Sequence, residues 1–396
     1  MKSSQLHTVK KILVRIGLSA VLALLALFLL LWGTMFVVAH GPSTSMRNLL
    51  VGMALQSGGM KFLPYTVLKP STINEILKSD AQGSTDVITP DSDRYVVKII
   101  TNEKGERIEV KVLVNDDGSA VVTDENGSTG IREYDEWEYA IDGIQFITIT
   151  RPNFKAYMLI VRDPSRIYMA AASNFKGEVG KNCFEIAEQE NAVATINAGL
   201  FSIAKGEGRY PIGLTYSKGS CVWNDGEVGL TFIGFDENNK LVVSDTMTRA
   251  AADKMKIRDG VTFQVTENSC RLIYTDESGS VHVSSSSSVA PAQRSAIGQR
   301  ADGAVILLAT DGRSAASLGA SYNDITQLMF EYGAVTAGML DGGTSSQMFY
   351  RDYPDLYNYD KSRLNEYQLV GLVNNYVAGA MPRKVPTHFV VAASQN

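Results

Sequence analysis

Ala334-Val335-Thr336-Ala337-Gly338-Met339-Leu340, followed at once by Asp341-Gly342-Gly343-Thr344-Ser345-Ser346, is the stretch on which the reading of this chain turns. The first seven residues form an apolar run of the kind that a buried strand requires. The next six place one carboxylate where that strand ends, then two glycines, then three hydroxyls. Two glycines let the backbone turn sharply and offer its N–H groups to an anion. A carboxylate with neighbouring hydroxyls can move protons and hold oxygen-rich groups. Such a corner suits a phosphate or a sugar.

Upstream of this strand, Ile325, Leu328, Met329 and Tyr332 keep helical spacing. Ser321 or Asn323 can cap that helix and Gly333 can end it. An earlier stretch shares the plan. Phe184 to Glu190 reads as a helix, Ala192 to Ile196 as a strand, and Asn197-Ala198-Gly199-Leu200-Phe201-Ser202 as the loop after it. Between the two lie Arg294 to Arg300 and Ala304 to Ala309, strands joined by the hairpin signal Asp302-Gly303. The second of these strands runs into Thr310-Asp311-Gly312-Arg313. Polar loops at the carboxyl ends of strands are where open sheets bind ligands. Nearer the N-terminus, Tyr95 to Val122 alternates as a small antiparallel sheet, and Ser284 to Ser288 reads as an exposed loop.

Ile16 to Ala39 is uncharged and almost wholly apolar, longer than a bilayer-spanning helix needs. Lys2, Lys10, Lys11 and Arg15 precede it, and no acid occurs before Glu75. The positive-inside rule puts the N-terminus in the cytoplasm and the bulk of the chain outside. The length of the run favours a retained anchor over a cleaved signal peptide ending near Val37-Val38-Ala39. Four of the 37 basic residues lie in this segment, which leaves 33 against 42 acidic ones, a net charge of about −9. An acidic exterior argues against a nucleic-acid partner and leaves room for one phosphate in a local arginine pocket. Three cysteines far apart make no disulfide framework. Few histidines argue against a His-rich metal site. The acidic loops leave calcium open as a cofactor, though no EF-hand pattern occurs.

The residue types suggest roles. Asp341 leads, as a carboxylate beside hydroxyls. Asn197 carries an amide that both donates and accepts, as sugar hydroxyls require. Arg294 and Arg313 flank one hairpin, and their planar forks suit bidentate contact with a phosphate. Asp311 is a second carboxylate, or it orients Arg313 or its own turn. Gly213, in Pro211-Ile212-Gly213-Leu214, answers a backbone need or lets a ligand approach.

Five segments in order resemble the phosphodiester glycosidase family: Ala194 to Phe201, Pro211 to Leu214, Arg294 to Gly298, Thr310 to Arg313, and Leu340 to Ser346. Arg383 and Val385-Pro386 before a last strand fit the closing motif of that family. The resemblance runs from about Tyr157 to Val391. Two departures stand out. The family commonly has Asn-Gly-Gly-Phe-Phe where this chain has Asn197-Ala198-Gly199-Leu200-Phe201, and a third glycine where Thr344 stands.

The resemblance implies an α+β fold, a twisted mixed β-sheet with flanking helices, here preceded by one N-terminal transmembrane helix. With the apolar run, the charge pattern and the strand pattern, the chain reads as a cytoplasmic N-terminus (1–15), an anchor (16–39), a juxtamembrane segment (40–83), a small β-rich region (84–150) and the glycosidase-like domain (151–396). The resemblance implies hydrolysis of a sugar-1-phosphate diester in a cell-envelope or exopolysaccharide glycopolymer. Asp341, Asn197 and Asp311 would be catalytic. Arg294, Arg313, Gly199, Gly213, Gly342, Gly343, Thr344, Ser345 and Ser346 would bind substrate. The rival functions are a metal-dependent phosphodiesterase and a non-catalytic polysaccharide binder on the same fold.

Overall fold

The computed structural model describes residues 2–56, 62–81, 85–88, 95–101, 107–114, 119–123, 129–133, 137, 140–202, 208–226, 229–263, 271–284, 291–312, 317–356, 359–376 and 381–394. The chain divides into two compact units: residues 1–80, and residues 81–287 with 291–396.

The first unit begins with the helix Lys2–His40. Its stretch Leu13–His40 is long and apolar enough to cross a membrane. At 28 residues it would reach about 40 Å, against roughly 30 Å of hydrocarbon. Leu18, Leu22, Leu25 and Leu29 all stand exposed along it. A second helix, Thr44–Gln56, folds back so that Ala54 and Leu63 close over Met35, with Trp32 and Leu50 packed against them. The helix Pro70–Ala81 follows.

The second unit is α+β, with helices flanking sheets. Every strand pairing among the described residues is antiparallel. Tight turns produce many of these pairs, as between Ser295–Arg300 and Val305–Thr310, where Gly303 takes φ +92° in the expected hairpin. Parallel neighbours would have needed a long crossover at each step. An eight-stranded sheet includes Ala334–Leu340, Ser295–Arg300, Val305–Thr310, Lys155–Val161 and Ile144–Thr150, adjacent in that order. Its two faces are both covered, so its strands read as continuous apolar runs. Leu159, Leu307 and Leu340 face a four-stranded sheet that contains Ile196, Met348 and Phe389. Met158, Leu308 and Met339 face the helix Tyr322–Glu331 through Ile325, Leu328 and Met329. Ser321 caps that helix, with Asp324 completing a capping box, and Gly333 at φ +84° follows its end. On the same helix Glu331 pairs with Arg151 at 2.7 Å near the surface.

A five-stranded sheet, including Leu214–Ser217 and Ile257–Thr262, has its own small core around Tyr216 and Phe232. The strands Tyr95–Thr101, Arg107–Val114 and Ser119–Thr123 form an antiparallel meander, as the sequence pattern from Tyr95 to Val122 predicts, and Thr129–Glu133 adds a fourth strand to it. Thr85–Ile88, however, pairs with Val281–Ser284 in the large sheet. Cys183 is buried and Cys221 part-buried, both free thiols, while Cys270 lies outside the described residues.

Candidate active site

The strand Val305–Thr310 leads through the helix Tyr322–Glu331 to the strand Ala334–Leu340. Ser295–Arg300 lies between those strands and pairs antiparallel with each, so they run in the same direction. This is a split β-α-β unit. Its consequence is positional: Asp311 and Asp341 leave the same edge of the sheet, with Arg294 entering between them. Strands two apart put the two loops about 10 Å from each other.

The Asp341 loop is a tight 3₁₀ turn, Gly343–Ser345. Gly343 has φ +62°, in the left-handed region. A Cβ on Gly342 would stand 3.0 Å from the Gln293 carbonyl. Each glycine therefore has a separate cause. Four of the six N–H groups of this loop are taken by backbone carbonyls, which leaves fewer for an anion than the sequence reading expects. Asp341 N donates to Ala198 O at 3.0 Å, Gly343 N to Gln293 O at 2.9 Å, Ser345 N to Gly342 O at 3.2 Å and Ser346 N to Gly343 O at 3.1 Å. Two of these bonds close the turn, and two tie it to Ala198 and Gln293. As a residue Asp341 is half-buried, and loss of hydration around its carboxyl pushes the pKa up to about 6. A hydrogen bond with Ser345, the charge of Arg383 and the Gly342 N–H pull the other way.

Asn197 lies beneath that loop, wholly buried. Its Nδ2 donates to the Asp341 carbonyl at 2.6 Å. Its Oδ1 accepts from Ser295 Oγ at 2.8 Å and from Gln347 N at 3.1 Å. The amide that the sequence assigns to sugar hydroxyls is thus taken up by protein, because the strand end brings three partners within reach. Asn197 braces the Asp341 corner. Gly199 and Gly213 also face protein. A Cβ on Gly199 would meet Thr262 O at 2.7 Å, and one on Gly213 would meet Thr262 Oγ1 at 2.4 Å, where φ is also +72°. They allow chain segments to approach the five-stranded sheet closely.

Asp311 is buried, which pushes its carboxyl up to about 6; Asn375 N–H at 2.7 Å, the Tyr157 hydroxyl at 3.5 Å and Lys155 oppose this. It meets Asp341 only indirectly. Gln293 gives its carbonyl to Gly343 and lays its side-chain amide against Gly312, where a Cβ would be 2.8 Å from Nε2. Arg294 donates from its backbone N to Thr310 Oγ1 at 2.8 Å and from Nε to Ala320 O at 3.2 Å. Its Cδ lies 4.0 Å from the Cβ position of Gly342, which places the side chain beside the Asp341 loop. Arg313 lies outside the described residues. Of the two remaining hydroxyls, Ser346 is wholly buried and Thr344 is exposed.

Sequence reasoning passed over Arg383 as a site residue. Its guanidinium sits over the Phe201 ring at 4.9 Å and donates from Nη1 to Thr344 Oγ1 at 3.2 Å. It is the cation that acts on the Asp341 carboxyl. The signal was an arginine just before the last strand, Thr387–Val391, which contacts Asn197 directly through the pair His388↔Asn197. His388 itself is wholly buried, and burial pushes it down to about 3. His282 pairs with Asp276 at 2.6 Å on a different edge of the large sheet. Among the described residues no three His, Cys, Asp or Glu side chains gather as a metal site would require.

The chain is similar to several known proteins. The catalytic domain of zebrafish N-acetylglucosamine-1-phosphodiester alpha-N-acetylglucosaminidase, auto-inhibited by its pro-peptide, aligns with a TM-score of 0.45 at 14% identity, over 76% of this chain and 89% of that one. A putative exported protein from Burkholderia pseudomallei aligns with a TM-score of 0.38 at 14% identity, over 78% of this chain and 96% of its own. The uncharacterized SPbeta prophage-derived protein YomE of Bacillus subtilis is 46% identical over 54 residues, 14% of this chain and 8% of that protein's length. The model of the phosphodiester glycosidase family matches residues 190–392, a span that holds both carboxylate loops, Asn197 and Arg383. On that match, which covers just over half of its length, the chain belongs to the phosphodiester glycosidase family.

Proposed function

We propose that this protein is a membrane-anchored, extracytoplasmic phosphodiester glycosidase that hydrolyses a sugar-1-phosphate diester in a cell-envelope or exopolysaccharide glycopolymer. The observation that carries the reading is the Asp341 carboxyl. It belongs to a half-buried residue, is raised to about 6, is hydrogen-bonded to Ser345 and is faced by Arg383. A carboxylate poised near neutrality is suited to take a proton or attack carbon at physiological pH. Asp341 acts at the anomeric carbon as base or nucleophile. The leaving group is a phosphomonoester, whose second pKa of about 6 makes it stable as an anion. Little proton donation to it is needed, so a single well-placed carboxylate suffices where ordinary glycosides require two. Arg294 lies beside the same loop and supplies positive charge. Asn197 and Ser345 hold the corner and the carboxylate in place, and Gly343 and Thr344 line its outer side.

Hydrolysis in oxygen-labelled water tests the reaction. Label in the released sugar is the expected outcome. Label in the phosphate would mean attack at phosphorus and would replace this reading with a phosphodiesterase. Equal turnover by the wild type and Asp341→Ala, with polymer binding retained, would leave a binding protein. The anchoring is supported by the apolar Leu13–His40 stretch and the basic residues before it. External protease on intact cells should remove the domain after His40; protection of that domain would reverse the topology.

A further inference from the structure

Arg383 is held more firmly than a surface cation needs. Its carbonyl accepts from Gln347 Nε2 at 2.8 Å, and its backbone N donates to the Tyr376 hydroxyl at 3.3 Å. The same tyrosine donates its proton to the Thr344 carbonyl. One phenol therefore ties residue 344 to residue 383. Tyr376 is placed in turn by its neighbour Asn375, whose N–H is fixed on Asp311 and whose carbonyl accepts from Gly312 N at 2.9 Å. The Phe201 ring supports the guanidinium from one side. Among the described residues the guanidinium makes one hydrogen bond, Nη1 to Thr344 Oγ1, and no ion pair at salt-bridge distance. A guanidinium has five N–H donors in a rigid fork, so most of this one remains available. It does so beside a loop most of whose own N–H groups are occupied, so side chains must supply most of the contact to an anion here.

We propose that Phe201, Thr344 and Arg383 form an anion subsite in which the Thr344 hydroxyl orients the Arg383 fork toward the non-bridging oxygens of the substrate's phosphate. This rests on the phosphodiester reading of the Asp341 corner and names the residues that would hold the phosphate there. Arg383 is the binding residue. Thr344 is a positioning residue, because it acts through the arginine. Its hydroxyl occupies Nη1 and leaves the remaining fork free for bidentate contact. Phe201 contributes a ring face that fixes the plane of the fork.

Calorimetric titration of the full-length protein in detergent with glucose 1-phosphate at low salt tests the subsite without requiring turnover. Arg383→Gln should weaken binding about tenfold or more, the scale of a charge-assisted hydrogen bond. Thr344→Val keeps the shape and removes the hydroxyl. It should weaken binding several-fold, and Thr344→Ser should restore it. With a sugar-1-phosphodiester, Thr344→Val should raise KM and leave kcat close to wild type. Thermal melts of each variant identify any that fail to fold, and because Thr344 is exposed both of its variants should fold. Unchanged binding in folded Arg383→Gln overturns the subsite. Loss of binding in Thr344→Ser equal to that in Thr344→Val overturns the role of the hydroxyl. A wild type that hydrolyses no phosphodiester, yet binds glucose 1-phosphate through Arg383, would sink the functional reading and leave the subsite standing. Turnover that is indifferent to Arg383 would do the reverse.

Discussion

The Asp311 and Asp341 loops are near twins in origin and opposites in surroundings. Each follows a buried strand of the same sheet, leaves the same edge and has a carboxyl pushed up to about 6 by burial. Asp311 is then closed in. A backbone N–H and a phenol take its oxygens, and the Gly312 side of its loop lies against Gln293. Asp341 is half-buried as a residue, with a cation acting on its carboxyl. A raised pKa is therefore not itself the mark of chemistry here. What separates the loops is that the residue Asp341 is half-buried and faced by a cation, and under the proposed reaction Asp341 meets the substrate while Asp311 holds the Asn375–Tyr376 segment.

Replacing each carboxylate in turn breaks or sharpens this contrast most. Asp341→Asn should keep the fold and reduce kcat by about 10²–10⁴-fold, the range of a lost proton-transfer group. Asp311→Asn should stay within about tenfold of wild type, since an amide oxygen can still accept from Asn375 N–H. Steady-state kinetics on a sugar-1-phosphodiester reads both. If Asp311→Asn loses as much as Asp341→Asn, the two loops share the chemistry and the contrast fails.

Stability against pH provides the next test. Both folded-state pKa values lie above the ordinary 3.8, so between about 4 and 6 the native state binds more protons than the unfolded chain. Stability from these groups is therefore highest at low pH, and falls as pH rises through about 6. For Asp311 the shift of about two units corresponds to roughly 3 kcal/mol at about 1.4 kcal/mol per unit. Urea melts at pH 4.5 and pH 7.5 should show Asp311→Asn gaining stability over wild type at the higher pH. An equal effect at both values would mean that Asp311 is not a buried acid.

The sequence showed the parts of this corner better than their use. The strand, helix and turn order from Arg294 to Ser346 follows from periodicity, and Ser321, Gly303 and Gly333 stand where local chemistry demands them. Asp341 is visible for the same reason. Asn197, Gly199 and Gly213 drew attention as polar or glycine-rich loop residues. Their tasks depend on partners 50 to 150 positions away, such as Gln347 and Thr262, which no local pattern reveals. Arg383 was missed as a site residue because its role arises from Phe201 and Thr344, both distant in sequence.

The glycines after each carboxylate give a smaller test of the same contrast. Gly312→Ala would press a methyl against the buried Gln293 amide at 2.8 Å and should cost about 1–3 kcal/mol, the usual overpacking range. Gly343→Ala meets nothing within 4 Å and should cost only the strain of φ +62°, about 1–2 kcal/mol. Differential scanning calorimetry should rank them in that order. KM should move in Gly343→Ala alone, because only that loop has an open side. A KM effect in Gly312→Ala would open the Asp311 loop to substrate.

Tyr157→Phe is the mildest change and the most discriminating. The phenol reaches Asp311 Oδ2 at 3.5 Å, a long bond, so its loss should cost no more than about 1 kcal/mol. That bond also lowers the Asp311 pKa, so removing it should raise the Asp311 titration further. Two carboxyls near 6 make the acid limb of a rate profile ambiguous in the wild type, and this variant separates them. With Asp341 as the reacting group, activity rises with pH through about 6 in both proteins, because only the ionised carboxylate serves as base or nucleophile. The stability midpoint moves upward in Tyr157→Phe while the kcat/KM midpoint stays. A rate midpoint that follows the stability midpoint would transfer the reaction's titrating group to the closed loop. Exposure would then no longer identify the reacting carboxylate in this fold.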